Sequence, residues 1–140
     1  MKNTKIVFDS SVIAKFIFSE GEDNLEQADA LLADVKNGHL SLLAPSLSKC
    51  EVGNVIRFRK MTEAEKMACW KNFKKLPIKF IDLNLSDGIL IQAIAESANI
   101  TFYDAVFILL AKKLGVPLVT ANPKHQKVFP GVKVVNLKDY

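Results

Sequence analysis

The sequence predicts an α/β domain of three layers, with a mainly parallel central sheet of about five strands between helices. Two observations carry that expectation. Short apolar runs rich in β-branched residues, such as Ile6 to Phe8 and Leu118 to Asn122, read as strands buried on both faces. Stretches with apolar residues at helical spacing separate each such run from the next. No internal repeat, linker or low-complexity tract interrupts the alternation, so residues 1–140 read as a single domain.

The first strand runs through Ile6, Val7 and Phe8 and stops at Asp9, Ser10 and Ser11. Val12, Ile13, Phe16 and Ile17 then follow at helical spacing. An acid at such a junction is delivered to the C-terminal edge of a parallel sheet, where open α/β folds bind ligands. It serves equally well as a helix cap. An acidic patch, Glu20 to Asp23 with Gly21, reads as a surface turn into a second helix carrying Leu25, Ala28, Leu31, Leu32 and Val35 on one face. Asn37 and Gly38 stop that helix, and Leu40 to Ala44 is a second strand closed by Pro45.

Ser46 to Lys60 reads as a third helix. Its spacing places Leu47, Glu51, Val55 and Phe58 on one face, so an acid sits within an apolar stripe. Thr62 and Glu65 form a capping box that opens a fourth helix through Trp70 and Phe73, ended before Pro77. Ile78 to Leu83 is a third strand. Ser86 and Asp87 start a fifth helix with Leu90, Ile94 and Ala98 on one face. Thr101 to Leu114 is a sixth, stopped by Gly115. Leu118 to Asn122 is the fourth strand, Pro123 to Phe129 a short helix, and Val132 to Leu137 the last strand.

Nearly half of the residues are hydrophobic, enough for a real core. The net charge of +4 permits an anionic partner such as nucleic acid without demanding one. Cys50 and Cys69 lie far apart with no CxxC, and read as reduced thiols in or near the core of a cytoplasmic protein. Asp9 and Lys15 break the would-be apolar segment of a secretion signal, and no apolar run approaches the length of a membrane span.

The informative acids are those in apolar company. Asp104 shares its helical face with Phe107, Ile108 and Ala111, and Glu51 lies in the third helix. Thr101/Asp104 and Ser48/Glu51 each fit the spacing of a capping box. Together with Asp9, however, both acids fall near helix N-termini or strand C-termini, which an α/β fold gathers on one edge. Carboxylates meeting there repel one another unless a hard cation such as Mg²⁺ or Mn²⁺ joins them.

These segments resemble the PIN-domain ribonucleases, and among them the VapC toxins of prokaryotic toxin–antitoxin pairs. The resemblance rests on the sequence around Asp9 (Ile6 to Ile13), around Glu51 (Ser46 to Val55) and around Asp104 (Thr101 to Ala111). It continues through Gly115 to Asn122. It implies a PIN-like fold and an Mg²⁺- or Mn²⁺-dependent endoribonuclease. Asp9, Glu51 and Asp104 then correspond to acids that hold metal directly or through water, and Thr120 to the hydroxyl of the last motif. Asn122 stands where the family usually has an acid, which implies weaker metal affinity or a domain that only binds RNA or protein. A small antitoxin and a homodimer are implied as partners, with Met67, Trp70 and Phe73 as an apolar surface for either. Arg57, Arg59, Lys124, His125 and Lys127 are candidate phosphate contacts; His39 and His125 belong to surface loops.

Other α/β chemistries lack their residues. A dehalogenase-type phosphatase needs an acid where Ser11 stands, and neither a P-loop nor a dinucleotide-binding glycine pattern occurs. A receiver domain would carry its phosphoacceptor after a central strand rather than the first.

Overall fold

The computed structural model describes residues 3–18, 22–122 and 129–140. Five strands form one sheet: β1 (Thr4–Phe8), β2 (Leu40–Pro45), β3 (Ile78–Ile81), β4 (Leu118–Thr120) and β5 (Val134–Asn136). Their order is β3-β2-β1-β4-β5 and every neighbouring pair is parallel. Ile6 stands opposite Leu42, and Val7 opposite both Leu43 and Leu118. Among the described residues six α-helices connect them: α1 (Ser10–Ile17), α2 (Leu25–Lys36), α3 (Leu47–Phe58), α4 (Glu63–Lys75), α5 (Gly88–Ala98) and α6 (Phe102–Leu114).

The three layers follow from the two-residue period of a strand. Ile6 and Phe8 point into a core shared with α1 to α4, while Val7 between them points into a second core under α5 and α6. Val7 and Phe8 are wholly buried, as a strand covered on both faces requires. Each such large apolar side chain contributes roughly 1.5–3 kcal/mol of burial free energy.

The element ends follow local chemistry. In the α4 capping box the Glu65 amide donates to Thr62 Oγ1 at 3.2 Å, and the Thr62 amide donates back to Glu65 Oε2 at 3.3 Å. Gly115 ends α6 at φ +66°, a conformation that a side chain disfavours.

Five expectations need correction. The buried stripe of α3 is Ser48, Val52 and Ile56, not Leu47, Glu51, Val55 and Phe58; Val55 is 41% and Phe58 72% exposed. The two stripes differ by one residue, a rotation of roughly 100°, and the sequence offers apolar residues on both. Packing against α1 and α4 selects one. On α5, Ile91, Ile94 and Ala95 are buried while Leu90 is exposed, for the same reason. Phe73 belongs to the core, whereas Met67 and Trp70 remain on the surface. Cys69 is buried but Cys50 is exposed. Strands β3, β4 and β5 are also shorter than their apolar runs. The expected helix at Pro123 to Phe129 lies almost wholly outside the described residues, as do Glu20 and Gly21 of the acidic turn. No single helix among the described residues is long and apolar enough to cross a membrane.

Candidate active site at the switch point of the sheet

Chain order runs from β1 outwards through β2 to β3, then resumes on the other side with β4 and β5. The reversal leaves a crevice outside the C-terminal ends of β1 and β4, the usual ligand position in such sheets. Asp9 leaves β1 at this point, its amide donating to Val119 O at 3.2 Å. It is the N-cap of α1 and also a buried carboxylate, 5% exposed.

Both of its oxygens are held. Oδ1 accepts from the Ser11 amide at 3.1 Å and from the Ser11 hydroxyl; Oδ2 accepts from the Thr120 hydroxyl. The same two hydroxyls accept at 3.0 Å from the amides of Ala121 and Asn122 respectively. Ser11 and Thr120 therefore clamp the exit of β1 to the exit of β4 through the Asp9 carboxylate. Burial pushes that carboxyl up to about 6, and the hydrogen bonds from Ser11, Thr120 and the helix amides only partly oppose the shift.

Glu51, half-buried on α3, accepts a 2.8 Å hydrogen bond from Ser10 on Oε1. Its carboxyl is raised chiefly by burial; the Ser10 bond lowers it, and the charge of Asp104 raises it further. That last effect places the acids of α3 and α6 in one electrostatic neighbourhood, although 53 positions separate them in the sequence. Asp104 sits half-buried in the first turn of α6, where its amide donates to Thr101 Oγ1 at 3.1 Å. Asn122 is half-buried just beyond β4.

The capping box expected at Ser48 and Glu51 does not form. Ser48 lies inside α3 with its buried hydroxyl unpaired, and Glu51 is turned to Ser10. Arg59, expected at the surface for phosphate, is instead tied to Glu22 at 3.0 Å and lies over the Phe18 ring at 3.9 Å; Lys15 pairs with Glu22 as well. Arg57 remains exposed. Lys124, His125 and Lys127 lie outside the described residues, and His39 is exposed. Ser10 and Ser11 are site residues that the sequence reading passed over except as caps; their signal was two hydroxyls directly after the acid.

Among the described residues no three His, Cys, Asp or Glu side chains come together as a ready-made metal cage. The donor chemistry still suits a hard divalent cation. Every candidate ligand is an oxygen, and burial opposes the ionisation of Asp9 and Glu51.

A parallel α/β domain with acidic side chains around its switch point is thus the class that fold and site define. The sequence matches the PIN domain over residues 6–129, and the chain belongs to that family. No curated protein matches it significantly. Among solved structures it is similar to VapBC2 from Rickettsia felis, bound to a DNA fragment from its promoter (TM-score 0.70, 17% identity, 95% of this chain and 98% of that one). It is likewise similar to PAE2754 from Pyrobaculum aerophilum (0.69, 19%, 99% and 94%). DNA-bound VapBC from Salmonella typhimurium gives 0.69, 14%, 96% and 98%. At these identities the likeness is one of fold, and the fold is VapC-like.

Proposed function

We propose that this PIN domain is an Mg²⁺- or Mn²⁺-dependent endoribonuclease, the toxin of a VapC-like toxin–antitoxin pair. The observation that carries the reading is the buried Asp9 carboxylate at the switch point, with Glu51 held beside it by the hydroxyl of the adjacent Ser10. Asp9 and Asp104 would be the main oxygen ligands of the cation, directly or through water, with Glu51 beside them. When bound, the cation neutralises charge on the scissile phosphate and makes a water more acidic.

The remaining work falls to side chains. Glu51, held by Ser10 and kept above its ordinary range by burial, orients the attacking water and takes its proton. Thr120 and Ser11 fix the Asp9 carboxylate so that its position need not be found anew in each cycle. Asn122 adds a neutral amide, and exposed Arg57 supplies a sequence-independent phosphate contact. The same reading includes a small antitoxin covering the acidic edge, and a homodimer.

The test is cleavage of a broad RNA panel by the purified chain with Mn²⁺. Loss of cleavage in both Asp9→Asn and Asp104→Asn supports the proposal. If the wild type leaves every RNA intact, the second reading takes over: a domain that binds RNA or protein without cutting, which the neutral Asn122 favours.

A further inference from the structure

We infer that Tyr103, with Phe102 beside it in the first turn of α6, is a stacking platform for an unpaired base next to the phosphate held at the acids. The inference rests on the nuclease reading for that phosphate, and adds the side chains that grip the nucleotide.

The first observation is a pair of rings with no structural role. Among the described residues five aromatic side chains keep 41% or more of their surface exposed: Phe58, Trp70, Phe102, Tyr103 and Tyr140. Three of them have partners. The Arg57 guanidinium lies 5.1 Å over the Phe58 ring, Trp70 is stacked on Phe73 with centroids 5.9 Å apart, and the Tyr140 hydroxyl donates to Asp34. Phe102 and Tyr103, 41% and 59% exposed, make no ring, cation–π or side-chain hydrogen-bond contact among the described residues. Their exposure forgoes the burial that the rest of α6 obtains: Phe107, four residues after Tyr103, is 1% exposed.

The second observation is where the rings stand. Helix α6 ends at Leu114 and β4 begins at Leu118, so a short connection returns the chain to the start of the strand. The helix therefore runs against the strands, and its first turn stands on the C-terminal edge of the sheet with Asp9. Thr101 fixes that turn, its hydroxyl accepting from the Asp104 amide at 3.1 Å. With a rise of about 1.5 Å per residue, Phe102 and Tyr103 stand within about 3 Å of Asp104 along the helix axis.

A flat π face is the complement of such rings, and every base has one. A base inside a duplex is already stacked on both sides, so only an unpaired one is free to lie on Tyr103. The chain around the rings is polar, with Thr101 before them and Asp104 after them, whereas the exposed aliphatic residues Leu85, Ile89 and Leu90 belong to the segment that opens α5. Aromatic rings set among polar groups beside a phosphate site suit a nucleotide better than an aliphatic protein surface.

The experiment is fluorescence anisotropy on the full chain without divalent metal and at low ionic strength. The probes are short labelled RNAs of mixed sequence, single-stranded or annealed to their complements. Saturable binding of the single strands is expected, weakened about tenfold or more in Tyr103→Ala and at least as much in Phe102→Ala/Tyr103→Ala. Tyr103→Phe, which keeps the ring, binds as the wild type does, and duplex binding is the same in every variant. When a single abasic position is moved along the strand, one placement reproduces the loss, and Tyr103→Ala then adds nothing to it. Thermal melts verify that the variants are folded; Tyr103 lies on the surface, so the single variant keeps the test valid if the double one is not. Wild-type affinity in folded Tyr103→Ala, an equal loss on duplexes, or a loss in Tyr103→Phe as large as in Tyr103→Ala overturns the inference. So does the absence of saturable single-strand binding, or unchanged RNA affinity with a shift of Tyr103→Ala towards monomer in light scattering, which would assign the rings to a second copy of the chain. Cleavage plays no part in the titration. An RNA panel left intact with Mn²⁺ therefore removes the nuclease reading without touching the platform, and an active enzyme whose Tyr103→Ala variant binds like the wild type removes the platform alone.

Discussion

The Asp9 carboxylate is where the chain sets function against stability. Its carboxyl stands at about 6 in the folded protein against an ordinary 3.8, so the native state holds this proton more tightly than the unfolded chain does. Stability from this group is therefore greatest below about pH 4 and falls as pH rises through 6, after which it levels off. The shift corresponds to about 3 kcal/mol of destabilisation when the group is ionised. Asp9→Asn is expected to raise unfolding stability in urea by up to about 3 kcal/mol above pH ~7, with the gain vanishing below pH ~4, while RNA cleavage is lost. A matching result is expected with metal: Mn²⁺ raises the Tm of the wild type but not of Asp9→Asn. Asn122→Asp, which adds a carboxylate beside the same crevice, should tighten Mn²⁺ binding in calorimetry; an unchanged Kd would put position 122 outside the metal's surroundings. Asp9 was legible in the sequence as an acid at a strand exit, a place that a helix cap explains as well as a ligand site does, and it is in fact the N-cap of α1. Its partner Thr120 was legible only through the family resemblance, and the Ser11 contact to Ala121 not at all, since 110 positions separate the two.

At the scale of elements, caps were the most readable feature and helix faces the least. A cap is a local contract between residues three apart, and the Thr62/Glu65 pair makes both of its hydrogen bonds. Thr62→Ala should lower stability by about 1 kcal/mol, measured by denaturant unfolding, with RNA cleavage retained. A helix face, by contrast, is chosen by its neighbours. Helix α3 offers one stripe through Leu47, Glu51 and Val55 and another through Ser48, Val52 and Ile56, and packing buries the second. That rotation explains why Glu51 is not an acid trapped in a core. It lies at the margin of α3, close enough to the N-terminus of α1 to receive the Ser10 hydroxyl.

At the scale of the whole molecule, the sheet order governs what the side chains do. Placing β4 beside β1 brings Thr120 onto Asp9, and packing α6 on the opposite face from α3 still leaves both helices starting at the same edge. The molecule also leaves apolar side chains uncovered: Leu85 is 91% exposed and Ile89, four residues on, 78%. Such adjacent exposure suits self-association. The chain is expected to be a dimer in light scattering, and Leu85→Glu with Ile89→Glu is expected to shift it to monomer without lowering its Tm.

Alternation of buried strand and amphipathic helix was enough to determine an α/β domain and its three layers, and spacing within a few residues marked the Thr62/Glu65 capping box though not the cap of α3. The sequence also marked Asp9 and Asp104 as acids in unusual company. Only the tertiary structure decided which face of α3 is buried, that Arg59 is held by Glu22 and Phe18, and that Ser11 and Thr120 share one carboxylate. Those outcomes depend on which segments meet across the sheet, and a periodicity confined to one segment carries no information about its neighbours.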